Sequence, residues 1–233
     1  MFECYNKHMK KRTKLADRKL PNYTRGEEIF NMVTHIVGAV FGIVMLVLCI
    51  IRGATHSGVA GVLTGIVFGV CMIVLYTMSA VYHGLSPRLK GKKVMQILDH
   101  CSVFLLIAGT YTPVTICALA KASPVLAWVI FGVVWGVSVL GIVLNSIDIE
   151  KYMTFSMVCY MALGWCIILS FPQLMTILPM TAIALLFCGG VAYTVGAIMF
   201  GLGIKKRYMH SVFHIMVVIG SVLHGLTVLL FVL

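Results

Sequence analysis

Acidic side chains are nearly missing from this chain: seven Asp and Glu stand in 233 residues, against eighteen Lys and Arg. Proline is scarce, at six, and charged residues of both signs reach only 11%. An ordinary soluble domain carries about 25% charged residues, so this composition argues against one. Apolar residues fill the gap, at 61%, more than a core of this size can hide from water. Lipid must take the place of the missing water. The shortage of acid leaves a formal net charge of +11. The basic residues sit between apolar runs rather than in a separate basic region, which argues against nucleic acid as a partner. No CxxC pair occurs among the eight cysteines. They are Cys4, Cys49, Cys71, Cys101, Cys117, Cys159, Cys166 and Cys188; most fall inside apolar stretches and read as small apolar packing residues, not as a disulfide framework. The first 25 residues lack an apolar run followed by a small-residue cleavage site, so a basic tail is expected rather than a signal peptide.

Seven apolar runs follow, at residues 29–51, 59–83, 94–119, 125–144, 153–171, 177–200 and 209–232. Each is long enough for a hydrocarbon core ~30 Å thick at ~1.5 Å per helical residue. Backbone groups find no partners in lipid, so each run must close its own hydrogen bonds as a helix. The pattern predicts an all-α, seven-transmembrane bundle over residues 26–233 behind a basic tail at 1–25. Six spans is the alternative, because no charge separates runs five and six between Lys151 and Lys205. Seven spans place sixteen of the eighteen Lys and Arg on one side, with only Arg52 and Lys121 opposite. That asymmetry predicts a cytoplasmic N-terminus, an outside C-terminus and a multi-pass protein of the plasma membrane. The basic tail is expected to touch anionic lipid. Gly61, Gly65 and Gly69 in run two, and Gly132 and Gly136 in run four, predict faces where helices approach closely.

Ionisable residues inside such runs are costly and mark functional sites by default. Here they gather. Ser79 and His83 share a helix face at i, i+4 near the end of run two. Asp99 is the lone acid of run three, about one turn in. His210 and His214 share a face at the start of run seven. The predicted topology puts all five at one membrane depth. A single histidine on an apolar face is ordinarily a satisfied core residue, and a lone HxxxH is weak. Convergence of three distant segments favours a metal site. Three imidazoles suit zinc and leave a fourth position for water. Ser211 stands where a metalloprotease HExxH would have its glutamate, so Asp99 is the carboxylate placed to act as base, with Ser79 beside it. His35 and Glu27 are candidates for orienting the ligands. His224 is ~15 Å along the helix from His214, too far for the same ion. His100 is expected at the interface, and His8 and His56 in solvent.

These residues resemble the hemolysin III family, the bacterial branch of the progestin and adiponectin receptor superfamily. The likeness is carried by Gly26-Glu27-Glu28-Ile29-Phe30-Asn31 with Thr34-His35, by Ser79 to His83, by Leu98-Asp99-His100 running to Ala108-Gly109-Thr110-Tyr111-Thr112-Pro113, and by His210 to His214. It implies a seven-helix fold and a zinc ion held by residues matching His83, His210 and His214. It also implies that Asp99 contacts the water, with Ser79 adjacent. The superfamily is similar to the alkaline ceramidases, which implies hydrolysis of a lipid amide or ester.

The expected function is therefore that of a zinc-dependent intramembrane hydrolase working on membrane lipids. One alternative is a non-enzymatic sensor or regulator of membrane lipid balance with zinc as a staple. The other is a haemolysin-like pore former, which would need polar residues through the full depth of several helices; the outer halves here are almost wholly apolar.

Overall fold

The structure, a computed structural model, describes residues 12–233. Cys4 and His8 lie outside the described residues. Every long element is helical. Helix α1 covers Arg25–Arg52, α2 Gly58–Gly84, α3 Lys90–Pro113, α4 Pro124–Trp165, α5 Met180–Gly203 and α6 Met209–Thr227. Among the described residues, five unbroken helical stretches are long and apolar enough to cross a membrane: Arg25–Gly84, Lys90–Ala122, Pro124–Leu174, Met180–Gly203 and Met209–Val232. Two of the five fold back on themselves.

The first is the α1–α2 hairpin. A capping box starts α1: the Glu27 N–H donates to Thr24 Oγ1 (3.2 Å) and the Thr24 N–H to Glu27 Oε2 (2.8 Å), closing two donors the helix leaves open. The chain reverses at Gly58, whose φ of +63° is a left-handed conformation that glycine adopts without a Cβ penalty. Antiparallel packing then brings Gly61 to the backbone of Gly53, Gly65 to Cys49 and Gly69 to Leu46. The expected close approach in run two is thus present. Gly132 and Gly136 have no neighbour where a Cβ would stand, so the small residues of run four do not bring helices together. A small-xxx-small spacing permits contact without imposing it.

The second reversal is inside α4. Asp148 leaves helical geometry (φ −160°, ψ 94°), and the Ser156 hydroxyl donates to Asn145 Oδ1 at 2.7 Å. In a continuous helix those residues would be ~16 Å apart. Phe104 of α3 packs against both limbs, at Gly141 and Tyr160.

Helix α1 turns an apolar stripe outward: Ile29, Val33, Ile36, Val40, Ile43 and Val47 are exposed, while Glu27, Asn31, His35, Gly38 and Gly42 are buried. This inverts a soluble helix and suits a lipid surround. Helix α2 packs between α1 and α3, α3 against α4, and α6 between α1 and α5. Inside the ring, the Tyr76 hydroxyl donates to Ser221 Oγ (2.7 Å), Tyr193 shares that hydroxyl (2.9 Å), and the Tyr111 hydroxyl donates to the Leu163 carbonyl (2.7 Å). Such interhelical bonds contribute about 0.6 kcal/mol each in a membrane; their larger effect is to fix which faces meet.

Candidate metal centre

Three imidazoles from two helices converge at one end of the ring. His83 comes from the last turn of α2, His210 and His214 from the first turns of α6. All are buried, and each offers a nitrogen so placed that the three lie within 4.8 Å of one another. His210 Nε2 and His214 Nε2 are 3.0 Å apart. Tetrahedral zinc with Zn–N near 2.0–2.1 Å separates its nitrogens by roughly 3.3 Å. His83 Nε2 is buried with no hydrogen-bond partner among the described residues, although its ring is in contact range of both others, with centroids 5.4 Å from His210 and 4.8 Å from His214. An orphaned buried acceptor or donor costs ~1–3 kcal/mol. The donor set therefore fits a zinc-like cation, which would satisfy that nitrogen.

The other nitrogen of His83 is held. Nδ1 stands 2.7 Å from Glu28 Oε2, and the buried Lys92 ammonium donates to Glu28 Oε1 (2.7 Å) and to the Leu85 carbonyl (2.8 Å). A carboxylate on the far nitrogen of a ligand histidine fixes its tautomer and orientation. The sequence pointed to Glu27, and the structure gives this contact to Glu28. Glu27 is taken up by the capping box and by the Tyr208 N–H (2.7 Å). Tyr208 sits in the left-handed region at φ 61°, and its bond to Glu27 ties the entry of α6 to the start of α1. One residue on, Glu28 lies about 100° further round the helix, facing α2. His35 packs against His214, ring centroids 3.9 Å apart, and edge-on to Tyr76. Both its nitrogens lack partners among the described residues.

Below the histidines lies a largely apolar cavity of about 140 Å³. Ser79, Asp99, His100 and His210 line its head; Leu106, Tyr111, Trp165 and His224 line its depth. From His210 to His224 the helical rise is ~21 Å. Asp99 and Ser79 thus face the same space as His210, and Asp99 is not one of the three converging donors. His100 also faces this cavity and stacks edge-on against Phe200.

On the other side, residues 12–23 form a strap. The Arg12 Nε donates to the Ile147 carbonyl (3.0 Å) and the Thr13 N–H to Asp148 Oδ2 (2.7 Å). The Lys93 ammonium donates to the Ala16 carbonyl (2.6 Å). The strap ends in Tyr23, whose ring stacks on His210 at 4.8 Å and tilts over His83 at 5.7 Å. Burial, and after it the carboxylates of Asp99, Glu28 and Glu27, push the Tyr23 hydroxyl above its ordinary value, so it stays a neutral phenol at physiological pH. No periodicity announced this cover. The signals that were present are a lone aromatic four residues before the first of two glutamates, and Asp148 and Glu150 as rare acids facing a basic tail.

A family model described as Haemolysin-III related matches residues 23–225, nearly the whole helical region. The chain belongs to the haemolysin III family. It is 35% identical over 207 residues to "Hemolysin-3" of Bacillus cereus, covering 89% of this chain and 92% of that one. It is 32% identical over 199 residues to "Hemolysin-3 homolog" of Bacillus subtilis (strain 168), covering 85% and 91%. This haemolysin III member is an integral, multi-pass membrane protein, and the matched region contains Tyr23, Asp99 and all three converging histidines.

Proposed function

We propose that this chain is a zinc-dependent hydrolase of a lipid amide or ester in the plasma membrane. The two folded-back stretches support a reading with seven crossings, and the Lys and Arg asymmetry supports one with the strap and the histidines on the cytoplasmic side. His83, His210 and His214 would hold the ion. When bound, it supplies Lewis acidity that polarises a carbonyl and lowers the pKa of water toward ~7. Asp99 takes the proton of the attacking water and returns it to the leaving group. Ser79, on the same cavity wall, holds the Asp99 carboxylate or the water in place. The apolar depth of the cavity receives the acyl chain, which positions the scissile bond at the histidine end and keeps bulk water out. The observation that carries this reading is the meeting of three imidazoles at the head of an apolar cavity that also presents an acid.

The test is metal analysis joined to lipid mass spectrometry. Asp99→Ala should keep its zinc and lose turnover by ~10²–10⁴-fold, the worth of general acid–base catalysis. His210→Ala should lose zinc and turnover together. Wild-type protein purified without zinc would sink the reading.

One feature favours a second reading. The three histidines are buried and Tyr23 lies across His210 and His83, as suits a staple between α2 and α6 in a non-enzymatic regulator of membrane lipids. On that reading zinc removal lowers the melting temperature, and membranes carrying wild type or Asp99→Ala have the same lipid content.

A further inference from the structure

A second, wider cavity of about 420 Å³ opens between the strap and the turn from α5 to α6. It shares Asp99, His100, Phe200 and His210 with the apolar cavity beneath it. These four side chains are the wall on which the two cavities adjoin, the lower one apolar and the upper one more polar. Four cationic residues line the upper one: Lys19 from the strap and Lys205, Lys206 and Arg207 from the turn. All four are exposed. Among the described residues the ion pairs involve only Glu28 with His83 and Lys92, so none of the four meets a carboxylate at ion-pair distance. The acids on this wall are Glu27, committed to Thr24 and Tyr208, and Asp99 on the floor. The turn is held in place, with the Lys205 and Lys206 N–H groups bonded to the Leu202 carbonyl at 3.0 and 2.9 Å.

We propose that this vestibule is a head-group site for a phosphate-bearing amphiphile, with the phosphate among Lys19, Lys205, Lys206 and Arg207 and the acyl part in the apolar cavity. The proposal rests on the reading that the lower cavity takes a lipid chain, and it names the class of lipid. A phosphate in a concave site ringed by four cations is drawn by a field stronger than any one of them supplies. The apolar cavity adjoining the cationic one is why the source is a lipid rather than free phosphate. Basic residues placed only to set topology need not gather around the mouth of a cavity; Arg88 in the α2–α3 connection and Lys90 at the start of α3 serve as that comparison.

The full-length protein in detergent is offered equimolar phosphatidic acid and diacylglycerol with identical acyl chains, and the lipid retained after gel filtration is quantified. Wild type should retain the phosphatidic acid at least about tenfold over the diacylglycerol, on the order of two cationic contacts. Lys205→Gln/Lys206→Gln should remove that preference, while Arg88→Gln/Lys90→Gln, matched in charge, should keep it. Equal retention of the two lipids by wild type, or an equal fall in both double variants, would overturn the proposal. Inorganic phosphate displacing the phosphatidic acid at comparable concentration would overturn it as well, by showing that phosphate alone is the ligand. The same assay on Asp99→Ala separates this claim from the hydrolase reading: retention there without turnover in wild type means the head-group site stands and the enzyme reading falls.

Discussion

The two ends of α6 make the most instructive contrast in this molecule. His210 and His214 lie at one end and His224 at the other; His210 and His224 line one cavity, and all three are buried or nearly so. His224 has both ring nitrogens unpartnered among the described residues and packs against Gly189 and Tyr193. By polarity and orphaned atoms alone the two ends look alike. They differ in company. At the α6 entry, a third imidazole arrives from α2 with a carboxylate behind it; around His224 no group of three ligating side chains gathers among the described residues. A buried imidazole is an electrostatic oddity, and convergence is what makes it a candidate ligand.

The sharpest way to break this contrast is one substitution made at both ends. His83→Leu should abolish stoichiometric metal in the purified protein. His224→Leu, which replaces an unsatisfied polar ring by an apolar side chain of similar volume, should leave metal content unchanged and the melting temperature equal or higher. Loss of metal in His224→Leu would end the distinction. Next in size is Glu28→Gln, which keeps the shape but removes the charge behind His83. Metal affinity should fall ~10–100-fold, read by competition with a chromophoric chelator, while Glu27→Gln should leave it within about threefold. The smallest effect concerns the strap. Asp148→Asn removes a carboxylate that accepts the Thr13 N–H, so hydrogen exchange in residues 12–20 should quicken while the helices and metal content stay as they were. Unchanged exchange would show that the strap is held by other contacts.

The apolar runs were legible because lipid leaves so few alternatives to a long apolar helix, and the reversals at Gly58 and near Asp148 fell where turn residues interrupt them. The converging histidines were legible because ionisable groups in an apolar chain stand out. Glu28 was not. Choosing it over Glu27 needs the rotation of α1 against α2, which depends on how closely Gly65 and Gly69 let the backbones approach. Nor was the strap legible: a basic tail next to a membrane protein already has a sufficient explanation in topology, and nothing local couples Thr13 to an aspartate 135 residues away. The glycines of run four misled for the opposite reason, since spacing describes an opportunity that the neighbouring helices here decline.

The hairpin of α1 and α2 also bears on the order in which the site comes into being. The bond between Glu28 and His83 is closed wholly within it, whereas His210 leaves the ribosome 127 residues after His83. The first half of the centre is ready while most of the polypeptide is still unmade, with one imidazole anchored and its other nitrogen waiting, and the final helix to be inserted completes it.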